Sequence, residues 1–326
     1  MKSPKVVCLG VHLLDVLVRH PEAPNLKPGW QILDDLRITA AGTAAGPAVD
    51  LAKLGAQALC VGVIGADFEG NIVCDLMAEH GCDVGGMVRD EGGPTHVSLL
   101  FIGPDGERDP IMIRPTGARP LTLADINLDA IAAADVLHIG GADQLGEFVD
   151  ESLVQLVGHA RANDVVVTVD VLAQCDEDLR DRLAPALSQA QFFFPNEGQL
   201  AGMTGTEDPA EGVARLRDAV GVQTVIGTLG GEGSLILGPG GEAQVPAFEV
   251  DLVDTTGCGD AYVAGFIVAT ANGWDAEAAG WLGAAASGLV ATGLGSDSGI
   301  VDLPSTLDFM ATQAPERIAD LARAAA

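Results

Sequence analysis

The chain has 326 residues, of which 48% are apolar, and a formal net charge of −29. This length and composition allow a large buried core, in one α/β domain with an appendage or in two ordinary domains. The acidic charge excludes a nucleic-acid partner, and the lack of an apolar run of about 18 residues excludes a membrane-spanning helix.

Apolar strand-like runs alternate with amphipathic helix patterns along most of the chain. Strands are predicted at VVCLGV, ALCVGVIG, VLHIG, VVVTVDV, QFFF and TVIGTLG. Helices are predicted at GNIVCDLMAEHG, which Gly81 would end, and at EFVDESLVQLVGHARAND. Fully apolar strands separated by helices indicate a parallel sheet that is covered on both faces.

Two hairpins interrupt this alternation. HVSLLFIGPDGERDPIMI turns at residues 104–106, and GSLILGPGGEAQVPAF turns at residues 239–241. The first hairpin and residues 32–38 predict a small sheet beside the main one. Helices over 261–271, over 276–292 and from 307 onward complete the chain. We therefore expect one domain, residues 1–326, with a small β lid formed from about 12–40 and 94–115.

The stretch VDTTGCGDAYVAGF places one carboxylate, Asp260, where a glycine-rich turn meets an apolar helix. Gly257 and Gly259 let successive backbone N–H groups converge, and the helix dipole adds positive potential, which predicts an anion site. A carboxylate beside this anion could accept a proton from a hydroxyl that attacks it, as in phosphoryl transfer. The alternative is an Asp that only caps a buried helix.

DTTGCGD, residues 254–260, resembles the second signature of the PfkB, or ribokinase-like, family of carbohydrate kinases. Other segments resemble family motifs in family order: CLGVHLLDVLV, VGVIGADFEG, PTHVSLLFIGPDGERD, FFPNEGQLAGMTG and TLGGEGSLIL. The resemblance implies a three-layer α/β sandwich with a central, mostly parallel sheet and a small β lid. It also implies a kinase that uses ATP and Mg²⁺ to phosphorylate a hydroxyl of a small sugar, sugar acid or nucleoside.

The resemblance also implies roles for individual residues. Asp260 would be the catalytic base, and the backbone of Gly257, Cys258 and Gly259 would form an anion hole for the transferred phosphate. The residues implied to bind the acceptor are Asp15, Gly42, Thr43, Gly46 and Asp260. The segment CLGVHLLDVLV resembles the first strand of the family, so Asp15 is implied to lie in that strand. The residues implied to bind ATP are Asn196, Thr228, Gly230, Gly233, Gly257 and Gly259.

The chain departs from the family pattern on the acceptor and metal side. In AAGTAAGPAVDLAKLG, Ala41 replaces a glycine and Gly46 replaces a sugar-binding Asn. Gln199 replaces the acid that organises Mg²⁺-bound water, so it is expected in the second shell of the metal. Asp170 remains from a D-x-N-x-R motif without its Asn and Arg. Asp260 and the anion-hole residues match the family pattern, so phosphoryl transfer remains the expected function. Gly46 and Gln199 suggest one alternative, a catalytically impaired nucleotide- or sugar-binding protein of the same fold.

Several further side chains have two interpretations. Asp254 and Thr256 either bind a monovalent cation such as K⁺ or hold the turn by hydrogen bonds to the backbone. His12 and His138 are either hydrogen-bonded filler or catalysts. Arg108, which follows the lid turn, is either part of the site or a solvated charge, and the same applies to Arg114.

The compartment and the partners follow from the same features. The six cysteines form no CxxC pair, which is typical of reduced thiols in a cytoplasmic protein. The lid hairpin alternates two side-chain faces, so one face is expected to cover a small-molecule sugar or nucleoside and the other to contact a second subunit in a homodimer. No nucleic acid or membrane partner is expected.

Overall fold

Two β-sheets with flanking helices form the described part of the computed structural model, residues 1–19, 33, 35–113, 117–173 and 175–317. The strands are β1 (Lys5–Gly10), β2 (Leu13–Arg19), β3 (Asp35–Ala41), β4 (Gln57–Gly65), β5 (Asp83–Asp90), β6 (Val97–Ile102), β7 (Arg108–Ile113), β8 (Val136–Gly140), β9 (Val166–Asp170), β10 (Phe192–Phe194), β11 (Thr224–Thr228), β12 (Ser234–Gly238) and β13 (Gly241–Val245). The helices are α1 (Ala45–Lys53), α2 (Phe68–Glu79), α3 (Leu128–Ala132), α4 (Glu151–Ala162), α5 (Glu177–Leu187), α6 (Glu197–Thr204), α7 (Pro209–Val220), α8 (Cys258–Ala271), α9 (Ala276–Val290) and α10 (Leu303–Gln313).

The main sheet has the strand order β13-β12-β11-β10-β9-β8-β1-β4-β5. All neighbouring strands are parallel from β11 to β5, and only β12 pairs antiparallel with β11 and β13. One buried apolar cluster unites α1, α2, α8, α9 and α10 with the sheet, and a second unites it with α4, α5, α6 and α7. Helices therefore cover both faces, which confirms the predicted three-layer sandwich.

The chain leaves the main sheet directly after β1. Gly10 has a φ of +142°, and a Cβ at this position would lie 1.9 Å from the carbonyl oxygen of Gly140, so only glycine fits. The next strand, β2, belongs to a small sheet of order β3-β2-β6-β7. Asp15 therefore lies in β2 of the small sheet. The resemblance to the family had implied that it lies in the first strand, so that placement is wrong. The small separate sheet itself is confirmed.

The two faces of the small sheet differ in burial. In β6, Ser98, Leu100 and Ile102 point inward and are buried, and the residues between them are half-buried. The outward-pointing apolar side chains are aligned across all four strands by the register of β3, β2, β6 and β7. We call this surface the outer apolar face; its most exposed members are Leu36, Ile38, Ile111 and Ile113.

Helix α8 is apolar on all sides and lies in the centre of the protein. Phe266 packs edge-on against Phe192 and Phe194, with ring centroids 5.0 and 5.2 Å apart. A Cβ at Gly265 would lie 2.7 Å from the carbonyl oxygen of Leu282, so this glycine allows α8 and α9 to pack closely. These contacts fix the first turn of α8, which carries Asp260.

Some elements differ from the sequence prediction. Strand β5 was not predicted, and the predicted helix over EFVDESLVQLVGHARAND is a 3₁₀ turn, Gly146–Val149, followed by α4. The helix expected from residue 307 begins four positions earlier, because Asp302 caps it through the N–H of Ser305. Part of the segment 32–38, together with Arg114, lies outside the described residues. None of the helices in the described ranges is long and apolar enough to cross a membrane, and the cytoplasmic location stays a prediction.

Candidate active site

One large cavity, of about 860 Å³, lies between the first turn of α8 and the carboxyl ends of β9, β10 and β11. We call it the reaction cavity. It is lined by all the residues that the sequence assigned to ATP and to the anion hole, together with Asp260: Asn196, Thr228, Gly230, Gly233, Gly257, Cys258 and Gly259. Segments that are far apart in the chain therefore meet at one site, as expected at the carboxyl edge of a parallel sheet.

The predicted anion hole combines a left-handed glycine with the start of a helix. Gly257 has a φ of +82°, and a Cβ here would lie 2.4 Å from the Cβ of Ser296, so the turn requires glycine. The N–H of Cys258 donates to the carbonyl of Thr255 at 3.3 Å. Within the described residues the N–H of Gly259 has no hydrogen-bond partner, so it remains open for an anion at the positive end of α8.

Asp254 holds the turn that precedes the anion hole. This fully buried carboxylate accepts bonds from the N–H and the hydroxyl of Thr256, at 2.8 and 2.7 Å, and from the N–H of Gly295 at 2.9 Å. Both of its oxygens therefore have partners, which agrees with the turn-holding interpretation. The role of Asp254 and Thr256 in binding a monovalent cation stays a prediction.

Asp260, in the first turn of α8, and Asp15, in β2 of the small sheet, bring two carboxyl groups together. Burial raises the pKa of Asp260 to about 8, the nearby Asp15 adds to this shift, and Arg108 opposes it. Burial also raises the pKa of Asp15 to about 6, opposed by a hydrogen bond from the Ser98 hydroxyl. Of the two groups, Asp260 is therefore the stronger base.

Arg108, whose place the sequence left undecided, lies in the candidate site. It begins β7 and lines the reaction cavity, and its Nη1 donates to the hydroxyl of Thr255 at 2.6 Å. Its positive charge lowers the pKa of Asp15, Asp260 and Cys258, so it lies close to all three. In the sequence, the only indication that Arg108 could belong to the site was its position directly after the turn of the lid hairpin. The Cys258 thiol is neutral, because burial raises its pKa to about 12.

Residues 42–46, which we call the acceptor segment because three of them are predicted to bind the acceptor, lie against Asp260. A Cβ at Gly46 would lie 2.4 Å from Oδ2 of Asp260, so the missing side chain leaves the space that the carboxylate occupies. Thr43 lines the reaction cavity, and its buried hydroxyl has no partner among the described residues. Gly42 has a φ of +97° and approaches the carbonyl of Val11, so it shapes the turn before α1.

Asn196 and Gln199 form a reciprocal cap at the start of α6. The Asn196 side chain accepts from the N–H of Gln199 at 2.9 Å, and the Gln199 side chain accepts from the N–H of Asn196 at 2.8 Å. The Gln199 amide also donates to the carbonyls of Val171 and Ala173, at 3.0 and 3.1 Å. A carboxylate could not make the last two bonds. The second-shell role of Gln199 toward Mg²⁺ stays a prediction.

Thr228, Gly230 and Gly233 bring the end of β11 to the opposite wall. Thr228 is bridged to Asn196, which joins the two predicted ATP segments. A Cβ at Gly233, where φ is +94°, would lie 2.0 Å from the carbonyl oxygen of Val245, so the turn needs glycine. The backbone therefore approaches the cavity closely here.

Asp170 and His138 complete the polar surroundings. Asp170 lines the reaction cavity, and burial raises its pKa well above the usual range, with a further contribution from Asp260. His138 is buried, with Nδ1 at 3.0 Å from the Thr168 hydroxyl and Nε2 at 2.8 Å from the carbonyl of Thr43. Its ring thus fills the space behind the acceptor segment and has partners on both nitrogens.

The comparison with protein families is decisive. The sequence model of one protein family, the pfkB family carbohydrate kinases, matches residues 4–302 of this chain. The chain is a member of this family. This kinase is therefore a phosphotransferase that acts on a hydroxyl group of a carbohydrate, as the sequence resemblance implied.

One curated relative and two solved structures illustrate what this kinase is similar to. This kinase is 31% identical to a fructokinase of Klebsiella pneumoniae over 237 residues, which cover 71% of this chain and 76% of the relative. Its fold is similar to that of a putative ribokinase from Agrobacterium tumefaciens, with a TM-score of 0.85, 22% identity, and coverage of 96% and 99% of the two chains. It is also similar to a putative ribokinase II of E. coli in complex with ATP and Mg²⁺, with a TM-score of 0.78, 23% identity and coverage of 95% and 99%.

Proposed function

We propose that this kinase transfers the γ-phosphoryl group of ATP to a hydroxyl of a small sugar, with Asp260 as the base. The observation that carries this proposal is the position of Asp260. This carboxyl has a pKa of about 8 and is close enough to Arg108 and Asp15 for their charges to shift it. It directly follows Gly259, whose N–H group is open. A base of this strength suits a hydroxyl proton, and the donors around it suit the charge of the phosphoryl group.

The reaction cavity fits a nucleoside triphosphate. Thr228, Gly230 and Gly233 would border the nucleotide, and the N–H of Gly259 would bind the γ-phosphate at the positive end of α8. Among the described residues no group of three His, Cys, Asp or Glu side chains could hold a metal ion. Mg²⁺ would therefore be bound mainly by the phosphates, whose charge it neutralises.

The proposed step balances as follows. The acceptor hydroxyl gives its proton to Asp260, and its oxygen forms a bond to the γ-phosphorus while the bond between that phosphorus and the β,γ-bridging oxygen breaks, which releases ADP. Asp15 would orient the acceptor through a hydroxyl, and Arg108 would stabilise the charge on the transferred group. The small sheet would act as a lid that excludes water.

A screen of acceptors tests this proposal. Purified kinase with Mg·ATP is given D-fructose, D-ribose, D-glucose, D-gluconate and adenosine, and ADP release is measured against a sample without acceptor. We expect release above background with at least one sugar. Tight ATP binding without turnover on any acceptor would instead support the impaired binding protein that Gly46 and Gln199 favoured.

The pKa of Asp260 predicts how activity depends on pH. Only the deprotonated carboxylate can accept a proton, so kcat/KM should rise about tenfold per pH unit up to about pH 8 and then level off. The measurement is the rate at low acceptor concentration across this range. A rate that is flat through neutral pH would contradict the assignment of Asp260 as the base.

Gly46→Ala tests the contact between the acceptor segment and Asp260. The new Cβ would lie 2.4 Å from the carboxylate oxygen and would force Asp260 to move. We expect kcat to fall about a hundredfold, since small displacements of catalytic groups have effects of this size. Gly240→Ala is the control, because a Cβ there has no atom within 4 Å. An unchanged kcat in Gly46→Ala would contradict this prediction and show that the exact position of the Asp260 carboxylate does not limit the rate.

We further propose that the outer apolar face joins two copies of the chain. The central row of the face is apolar in all four strands and consists of Ile38, Val16, Leu99 and Ile111. The whole chain has a net charge of −29, so two copies can approach here without placing like charges at the centre of the contact. The partner that fits this apolar centre is therefore a second copy.

Ile111→Asp tests this dimer. Ile111 is 45% exposed, so the substitution should leave the fold intact and split the dimer, which light scattering after size exclusion would measure. Leu128→Asp, at an exposed apolar residue of α3, is the control and should keep the wild-type mass. A monomeric wild type, or an Ile111→Asp variant of unchanged mass, would contradict the proposal.

A further inference from the structure

A second cavity, of about 390 Å³, lies beside the reaction cavity, and we call it the distal cavity. Leu172 lines both cavities, so they are neighbours. Leu13 lines the distal cavity, and Asp15 lies two positions further along β2, on the same face of the strand. An acceptor that reaches Asp260 past Asp15 would therefore extend its other end toward the distal cavity.

His12 carries an unused hydrogen-bond acceptor beside this cavity. The ring lines the cavity and is only 5% exposed, and its Nδ1 lies 3.0 Å from the carbonyl oxygen of Gly10. A carbonyl only accepts, so Nδ1 carries the proton and Nε2 has a free lone pair. Nε2 has no hydrogen-bond partner among the described residues. Burial lowers the pKa of His12 to about 4, so the ring is neutral at neutral pH.

The backbone of β4 at Gly62 lies against the ring of His12 and favours this orientation. A Cβ at Gly62 would lie 2.7 Å from Nδ1 of His12 and 2.7 Å from the carbonyl oxygen of Gly10. The absence of a side chain at this position in β4 thus makes room for the ring edge that carries Nδ1. A buried polar atom without a partner is costly, and an imidazole held with one free nitrogen is suited to bind a donor.

Three other polar side chains that line the distal cavity have partners within the protein. Asp90 accepts bonds from the N–H groups of Gly92 and Arg119, at 3.0 and 2.9 Å. The Arg119 guanidinium forms two bonds of 2.8 Å to Asp125, so its charge is neutralised. The Thr95 hydroxyl donates to Asp67 and accepts from the N–H of Gly65. Asp90 and Asp125 together carry one more charge than Arg119, so these groups leave this part of the wall with a net negative charge.

We propose that the distal cavity binds the non-reacting end of the acceptor through a hydroxyl that donates to Nε2 of His12, and that the kinase therefore selects uncharged sugars over sugar phosphates and sugar acids. A phosphate or carboxylate has only acceptors, so it would face the lone pair of His12 and the carboxylate of Asp90 unfavourably. This inference rests on the proposed function, because it assumes that the acceptor reacts at Asp260.

Binding to His12 is measured without turnover. The kinase is labelled with ¹⁵N-histidine, and its spectrum is followed during titration with D-fructose, D-ribose or D-glucose, and in parallel with D-fructose 6-phosphate and D-gluconate, each with a non-hydrolysable ATP analogue. We expect an uncharged sugar to shift the Nε2 resonance of His12, assigned from the His12→Gln variant, and the charged compounds to leave it unchanged. A shift with a charged compound, or none with any of the three sugars at their solubility limits, would overturn the inference.

The kinetics of His12→Phe give an independent readout. For the best sugar found in the screen, removal of the distal hydroxyl in a deoxy analogue should lower kcat/KM of the wild type about tenfold. In His12→Phe the sugar and its deoxy analogue should react equally, with an unchanged KM for ATP. His159→Phe is the control, since His159 bonds to the carbonyl of Leu128 and lines neither cavity. If His12→Phe discriminates as the wild type does, the inference is wrong; missing ADP release with intact NMR shifts would instead contradict the proposed function.

Discussion

Asp260→Asn should lower kcat about a thousandfold, because the amide cannot accept the hydroxyl proton that the proposed mechanism requires. The affinity for ATP should change little, since a base acts only as the transition state forms. Single-turnover rates and ATP binding, measured by calorimetry, separate the two effects. The substitution also removes a carboxyl whose pKa is raised by burial and by Asp15, so the variant should be at least as stable as the wild type at alkaline pH.

Asp251→Asn is the matched control for this experiment. Asp251 lies in the loop that leads to the anion hole, is exposed and lines neither cavity. Its replacement should leave kcat and ATP affinity as in the wild type. An Asp260→Asn variant within tenfold of the wild-type kcat on a confirmed acceptor would show that another group takes the proton.

Arg108→Ala should lower kcat about a hundredfold or more, because it removes a positive charge beside Asp260. Among the described residues that shift the pKa of Asp260, Arg108 is the only cation. Arg108→Lys should recover part of this loss, since the charge remains but the bond to Thr255 is weakened. The midpoint of the pH profile should move upward in Arg108→Ala, because Arg108 lowers the pKa of Asp260. A purely structural role would not shift this midpoint.

Arg182→Ala is the control for the loss of an arginine. Arg182 forms an exposed ion pair with Asp150 and lines neither cavity, so its removal should leave activity intact. If Arg108→Ala keeps the wild-type kcat and pH midpoint, then Arg108 serves only to hold the hairpin, and the charge of the phosphoryl group is stabilised by the backbone and Mg²⁺ alone.

The main sheet could be predicted because its strands are buried on both faces. Runs such as VVCLGV and VVVTVDV are continuous and apolar, which is typical of parallel strands. Strand β5 lacks this signal, since Gly85 and Gly86 interrupt it and it lies at the edge of the sheet. Strand β2 was merged with β1 because the turn at Gly10 separates the two by only a few residues.

The site was predictable where its residues are neighbours in the chain. Asp260 and its glycines form one segment, and the two segments predicted to bind ATP each carry their own turn residues. Arg108 could not be assigned in this way, because its partner Thr255 is 147 residues away and the contact depends on how the small sheet packs. The same holds for Gly46, whose contact with Asp260 depends on the packing of α1 against α8.

The turn of the lid hairpin is bonded to the loop that carries the anion hole. The carbonyl of Gly106 accepts from both the N–H and the hydroxyl of Thr255, each at 3.3 Å. If the small sheet opens to admit the acceptor, as proposed, these bonds break and Arg108 leaves the phosphate site in the same movement. Closure of the lid and assembly of the catalytic apparatus are then a single movement. In kinetic terms, an enzyme whose lid is open has little capacity to waste ATP on water.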